Sequence, residues 1–507
     1  MLPMAEKEIN EAIEANEFNE GNVPVRWDGA LHGARLYLAI AGLALPLFLT
    51  GVEATIVSTS LVTITDDLQN AGQSSWVITS YLLTYTVVCR AFQGLGGAGI
   101  YTLTLFSILR ILPYEQYDKA SSLAGGIISI GLVLGPLLGG AISNDGNWRW
   151  VFLMNVPAGA IGWLLLYFVL PAHFPNPAPV ANEESTPAQV WVNMKTAIHR
   201  VDFFGAFLVL TACSFIIAAL QEGNYQYSWS SALVISFLVI SGIAWLAFIA
   251  WQWFICRRDL KISPMFPWRL AHNRLFMGMA LGFFTTGLPM TVCVINIPQR
   301  FQIVNGSSPV GSGVKLLSFA LSCLIGIISC SVLAGRLRMP FAYIALIGLV
   351  IQVTGLFLFS EIASTTELWL GQFGYLVLAG LGTGLGVSAF YMATSLVVEI
   401  EDQNIALGIG IQLRMLGGVL GIAASSAILF HYIQSRLSSA LQPDELAALL
   451  KTTEAIKTFS PASQLQVREV YATAYSMQMK MCGAFSAAQI FAVAMIWKRQ
   501  NVRYSKG

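Results

Sequence analysis

Charge is scarce in this chain: Asp, Glu, Lys and Arg make up 11% of its 507 residues, against about a quarter in soluble domains. With 55% of residues hydrophobic, a soluble globular fold is all but excluded. No sign of charge dominates, the formal net charge being +1. Outside the membrane-flanking loops no basic cluster interleaves with aromatics either, so nucleic acid is not an expected partner. The seven cysteines, Cys89, Cys213, Cys256, Cys293, Cys323, Cys330 and Cys482, all fall in or beside apolar stretches. That placement offers neither a disulfide framework nor metal-ligand spacing. His/Asp/Glu and Cys/His clusters are missing, as is a phosphate-binding G-x-x-x-x-G-K-[ST] loop, which argues against an enzyme, a metal, a cofactor and ATP drive. The acidic stretch 1–33 lacks the basic region and short apolar core of a signal peptide and reads as a cytosolic tail.

What is present is a ladder of long apolar runs, at 36–61, 76–109, 120–143, 150–171, 203–221, 229–256, 275–298, 314–334, 340–360, 368–398, 404–431 and 473–497. Most can cross a hydrocarbon slab of about 30 Å as helices of about 20 residues. The fold class is therefore an all-α polytopic membrane protein of about twelve transmembrane helices. Lys and Arg gather in alternate loops (Arg110/Lys119, Lys195/Arg200, the basic loop 257–274, Arg336/Arg338, Lys498/Arg499/Arg503), which places those loops and both termini in the cytosol. The single Asn-x-Ser/Thr sequon, Asn305-Gly-Ser307, falls on the opposite face and is a glycosylation candidate.

Composition divides the chain into a polar tail 1–33, an N-terminal helical bundle 34–171, a Pro-rich cytosolic linker 172–201, a helix pair 202–256, the basic loop 257–274, a C-terminal bundle 275–498 with an outer loop 432–472, and a tail 499–507. Two helical groups joined by a linker suggest a rocking transporter.

In the third run, Gly131, Gly135 and Gly139 recur every four residues and leave one helix face bare, so that another helix can approach closely. Pro136 kinks that stripe by removing a helical hydrogen bond, and Gly140 extends it. Generic small-residue packing is the plainer reading of the glycines. Ionisable groups inside spans are costly and thus functional candidates: Glu53, Arg90, Arg414 and Lys480. Glu53 can exchange a proton as its surroundings change, with Arg90 as the cation near it. A helix-end role for Glu53 and a backbone-carbonyl partner for Arg90 stay open. Pocket polarity is assigned to Gln93, Asn155, Asn296, Gln372 and Gln412, with Arg414. Aromatic walls are assigned to Tyr81, Phe283, Phe284, Phe390 and Tyr391, which suit flat, largely apolar ligands. The G-x-G-x-x-G match at 94–99 lacks a βαβ setting and carries no nucleotide reading.

The segment Gly131-Leu-Val-Leu-Gly135-Pro136-Leu-Leu-Gly139-Gly140 resembles the antiporter motif of the major facilitator superfamily. The blocks Val52-Glu53-Ala-Thr55-Ile56-Val57, Thr65-Asp66-Asp67-Leu68, Trp76-Val77, Tyr81-Leu82-Leu83, Arg90-Ala-Phe-Gln93-Gly94 and Trp148-Arg149-Trp150 to Asn155-Val-Pro157-Ala-Gly159 look like its drug:proton antiporter branch with fourteen spans, the type of fungal toxin and multidrug exporters. The likeness covers most of 36–498. It implies a proton-coupled efflux transporter of small amphipathic compounds (toxin, secondary metabolite or drug), monomeric, in the plasma membrane or the vacuolar membrane. The alternative is a transport-defective or regulatory member of the same family. One departure supports that alternative: Tyr81-Leu82-Leu83-Thr-Tyr-Thr86 runs straight into Val87-Val88-Cys89-Arg90, as though the second half of span two, a loop motif and span three were missing. The fused stretch 76–109 would form a helix of roughly 50 Å, so a bend near Gly94 to Gly99 or a protruding end is expected.

Overall fold

Among the described residues every extended element is a helix, with an isolated bridge between Gly223 and Tyr227. The structure is a computed structural model that describes the chain from Gly33 to Lys498, apart from 71–95, 171–200 and short stretches within 98–116, 145–147, 224–226, 259–263, 364–367, 400–401 and 439–452. The helices are α1 (Ala34–Asn70), α2 (Tyr117–Asn144), α3 (Trp150–Leu153), α4 (Asn155–Val169), α5 (Phe203–Glu222), α6 (Ala232–Arg258), α7 (Trp268–His272), α8 (Arg274–Ile303), α9 (Pro309–Gly335), α10 (Phe341–Ala363), α11 (Gln372–Val397), α12 (Gln403–Leu437), α13 (Pro461–Ala487) and α14 (Gln489–Ile496).

Short polar residues start these apolar helices by filling their orphan N–H groups. Asp202 accepts from Gly205 N at 2.7 Å, Asn273 from Leu275 N at 3.0 Å, Ser308 from Gly311 N at 3.1 Å and Ser460 from Ser463 N at 3.2 Å. Pro309 and Pro461 follow two of these caps, where a missing N–H costs nothing. Between α8 and α9 the chain reverses over five residues, with Gly306 at φ +63° supplying the left-handed step.

Two helical groups result. In the first, α1 and α2 lie against each other. Across α1, α4 packs with Gly162 near Pro46 and Gly42 near Leu165 and Leu166. Ile108 and Ile111 are buried with Ala39, Leu43 and Leu47 of α1. The second group, α8 to α14, surrounds α8, whose Phe283, Leu288, Val292, Ile297 and Phe301 are buried. The pair α5/α6 packs on itself, Ser241 Oγ donating to the Ala212 carbonyl at 2.8 Å, and α5 leans on α12. Its other side presents Phe207, Leu210, Ile243 and Leu246 outward, the surface a helix needs where acyl chains are the solvent.

Ten helical stretches are long and apolar enough to cross a membrane among the described residues. Of the remaining two expected spans, one is α2, whose apolar core is Ile130–Ser143, and the other is 76–109, most of which lies outside the described residues; within the stretch expected to bend, Gly96, Gly97 and Gly99 are helical. Several boundaries differ from expectation: α1 runs on to Asn70 rather than 61 and α8 to Ile303 rather than 298. The last span begins at Pro461 rather than 473, and α12 continues to Leu437. Much of the expected outer loop 432–472 is therefore helix, completed by a 3₁₀ turn at Thr453–Thr458. The polar first turns of α13 hid its start, yet Val467, Tyr471 and Tyr475 bury themselves with Val304, Ile433, Leu437, Leu449, Ile456 and Phe459 under this cap. The run 150–171 is interrupted at Met154, between α3 and α4.

Candidate functional site

Two backbones almost touch where α2 crosses α1. A Cβ at Gly131 would stand 2.5 Å from the Phe48 carbonyl oxygen, one at Gly135 2.0 Å from Thr55 Oγ1, and one at Gly139 2.1 Å from the Ile56 carbonyl oxygen. No side chain fits there. Pro136 carries no N–H, so the Leu132 carbonyl four residues earlier loses its helical donor. Thr55 Oγ1 donates to that carbonyl at 3.2 Å. One turn on, Thr59 Oγ1 donates to the Pro136 carbonyl at 3.0 Å, and Ser60 Oγ to the Gly139 carbonyl at 3.2 Å. Glycines on one helix thus face a ladder of hydroxyls on the other.

The same helix also touches the second group. A Cβ at Gly140 would lie 2.7 Å from the Pro309 carbonyl oxygen, and one at Gly313 of α9 2.6 Å from the Pro136 carbonyl oxygen. Gln302, near the end of α8, donates through Nε2 to the Thr59 carbonyl at 3.2 Å and to Ser312 Oγ at 3.0 Å. The two halves are closed against each other at the end where α8 turns into α9.

In the second half, Tyr391 packs edge-on to Phe283 with ring centroids 4.6 Å apart, and Phe283 also fills the gap left by Gly410 of α12. One turn along α12, the Arg414 guanidinium reaches Met290 Sδ at 3.6 Å, and Gly287 of α8 sits against the Arg414 backbone. Phe283, Tyr391 and Arg414 therefore share the α8/α11/α12 wall. Gln412, two residues before Arg414 on α12, is exposed.

Other residues assigned to the pocket serve the packing instead. Asn296 Nδ2 donates to Gln478 Oε1 at 2.9 Å, and Gln478 Nε2 to the Ser425 carbonyl at 2.7 Å, all three buried. Gln372 Oε1 accepts from Arg300 Nη1 at 3.3 Å. Asn155 opens α4, half-buried, in the first half, with no placement beside Tyr391 or Arg414. Glu53 is half-buried on α1, two residues from Thr55. Lys480 pairs with Glu361 at 3.0 Å on an exposed face. Asn305 is half-buried in the α8–α9 turn, where Ser307 Oγ accepts from Lys315 Nζ at 2.5 Å. Arg90, Tyr81 and Gln93 lie outside the described residues.

Sequence reasoning missed Arg300, which is 1% exposed, donates to the Ile362 carbonyl at the end of α10 and lies over the rings of Phe301 and Phe359. Its neighbours Gln299 and Gln302 made it look like loop. Asp202 was missed as well: at 3% exposure it takes Trp251 Nε1 at 2.8 Å and Gln252 Nε2 at 2.6 Å. Gln252 in turn accepts from Phe266 N at 3.2 Å, and Arg269 pairs with the buried Asp402. These contacts fasten α5/α6 through the basic loop to the start of α12.

A profile described as Major Facilitator Superfamily matches residues 85–422. The chain is 36% identical to the MFS-type transporter FPY5 of Fusarium mangiferae, the match covering 92% of this chain and 84% of that protein. It is 28% identical to the efflux pump hmp6 of Hypomyces subiculosus, over 98% of this chain and 93% of the relative. That alignment runs over 551 positions, more than the 507 residues here, so the relative has residues that this chain lacks. A crystal structure of a bacterial homolog of the human lysosomal transporter Spinster superposes with TM-score 0.55 at 13% identity, covering 93% of this chain and 100% of that one. The likeness concerns the fold.

Proposed function

The chain belongs to the major facilitator superfamily of membrane transporters, and on that premise we propose that it is a proton-coupled exporter of small amphipathic compounds that works by alternating access. The observation that carries this reading is the junction of the two helical groups at the end where α8 turns into α9: Gly140 against Pro309, Gly313 against Pro136, Gln302 on Thr59. Halves joined at one end can part there and close at the other. By the bias of Lys and Arg, the joined end faces outward and the termini lie in the cytosol.

Half-buried Tyr391, backed by the buried Phe283, offers an aromatic face to a flat ligand, and Arg414 offers a charge on the same wall. Substrate class follows from that wall and from the efflux activity in the relative's name. Glu53 carries the proton, its carboxyl lying within the span and within two residues of the seam that the antiporter motif builds.

The first bundle is shortened in this reading. The join of Thr86 to Arg90 supports it, as does an alignment longer than the chain itself. A bundle with an incomplete wall exports more weakly than an intact relative.

Purified protein in lipid vesicles tests the proposal. A fluorescent amphipathic dye moves against its gradient when a pH difference is imposed, and a protonophore stops it. In Glu53→Gln, dye movement becomes independent of pH, because an amide resembles the protonated acid but releases no proton. Full activity without a proton gradient would refute antiport. Restoring the family's missing segment raises the rate; equal rates would refute the shortened-bundle reading.

A further inference from the structure

Thr59 occupies a singular place, because three helices meet on one residue. Its hydroxyl lies 3.0 Å from the Pro136 carbonyl of α2 and 3.3 Å from the Ile56 carbonyl of its own helix. Its own carbonyl receives Gln302 of α8. The hydroxyls beside it are shared in the same way: Thr55 Oγ1 lies 3.3 Å from the Val52 carbonyl, and Ser60 Oγ 3.1 Å from that of Ile56, besides their acceptors on α2. Each hydroxyl has a single hydrogen and two acceptors. Because α1 and α2 belong to the same half, this ladder stays in place when the halves part, and each hydroxyl has an acceptor whichever way its hydrogen turns.

Gln302, in contrast, reaches across the boundary. Its Nε2 carries two hydrogens, one for Thr59 across the boundary and one for Ser312, whose helix α9 belongs to the same half. When the halves part, Gln302 gives up the first bond and keeps the second.

From these bonds we infer that Gln302 and Thr59 form a releasable latch between the two halves, and that the hydroxyl ladder on the antiporter motif serves to hold Thr59 in place for it. The latch sets how readily the joined end opens, and so the balance between inward-open and outward-open states. This inference rests on the alternating-access reading above. It names Gln302, Thr59, Thr55 and Ser60 as positioning residues rather than as groups that touch substrate.

Hydrogen exchange by mass spectrometry on the full chain in lipid nanodiscs tests it without labels. Gln302→Leu removes the donor at nearly constant volume, and Gln302→Glu keeps the shape while replacing Nε2 with an acceptor, so one folded variant suffices. Either variant speeds exchange of peptides covering 55–60 and 309–314 by about 3- to 10-fold, the shift that one hydrogen bond of ordinary net strength supplies. Peptides from 341–363 stay unchanged and report an intact fold. Thr59→Val produces the same shift at smaller size, and Thr59→Ser restores protection. Unchanged exchange at 55–60 and 309–314 in a folded Gln302 variant overturns the latch, whatever the transport rate. Dye flux in wild-type vesicles separates the two readings: no gradient-driven flux with the exchange shift present sinks the transporter reading and leaves the contact, whereas normal flux with no shift sinks the latch alone.

Discussion

Two seams in this molecule are built from glycine, and they do different things. In α1/α2 the glycines lie on α2, hydroxyls face them from α1, and Pro136 breaks the backbone ladder that Thr55 repairs. In α8/α12 the glycines lie on both helices: a Cβ at Gly287 would come within 1.9 Å of the Arg414 carbonyl oxygen, and one at Gly417 within 2.1 Å of that of Phe284. The second seam is internal to its half. The first also meets α9 and α8 of the other half through Gly140, Pro136 and Thr59. Close helix approach by itself is packing; a seam gains a part in transport where its outer side borders a moving partner.

The strongest test of that contrast pairs Gly135→Leu with Gly417→Leu. Both force a side chain into backbone or hydroxyl atoms, an overpacking that costs about 1–3 kcal/mol. Gly135→Leu abolishes dye transport while protein persists at the cell surface, since it spreads α2 from α1 and displaces Thr59. Gly417→Leu lowers the amount of folded protein and reduces transport per folded molecule only in part, through the Arg414 wall one turn away. Equal loss per folded molecule in the two variants would erase the distinction.

A smaller effect is expected from the break itself. In Pro136→Ala the new N–H returns to the Leu132 carbonyl, and the Thr55 hydroxyl falls back on Val52. Thr55→Val alone strands the Leu132 carbonyl and costs about 1 kcal/mol of unfolding free energy. In the Pro136→Ala background the same change costs close to nothing. The double-mutant cycle therefore yields a coupling of about 1 kcal/mol, measured by unfolding in mixed micelles. Zero coupling would show that the hydroxyl does not compensate for the proline.

Much of this was legible from the sequence, for reasons that particular residues make clear. Long apolar runs announce spanning helices because water is absent where they lie, and the glycine stripe at 131, 135 and 139 announced a close neighbour. Its partner was not legible: Thr55 and Thr59 lie 77 residues from their acceptors, and a threonine inside an apolar helix signals nothing by itself. Asn296 and Gln372 looked like pocket lining because composition reveals polarity without direction; each turned out to bond within the second half. Gln302 and Arg300 were lost for a third reason. The span was ended at the first polar residues, whereas α8 carries them to Ile303 and uses one between the halves and one to bind the end of α10.

The smallest effect belongs to Asn305, which lies at the same junction as the latch. The sequon sits two residues past the end of α8, a reach of about 7 Å for extended chain, in a turn closed by Ser307 N on the Phe301 carbonyl at 2.9 Å. Its serine hydroxyl already accepts from Lys315, and Pro309, four residues past Asn305, already meets Gly140 of the other half. A glycan there would have to grow at the membrane boundary, from a turn wedged between two spanning helices. Asn305→Gln therefore leaves gel mobility and dye transport as in the wild type, and treatment with an endoglycosidase changes neither. A mobility shift lost in Asn305→Gln would mean that the turn is modified before the halves close over it, and it would place the α8–α9 end on the luminal side during synthesis, as the Lys/Arg bias requires. The junction would then have to accommodate a sugar beside Gln302, and exchange of 309–314 would be faster in glycosylated than in deglycosylated protein.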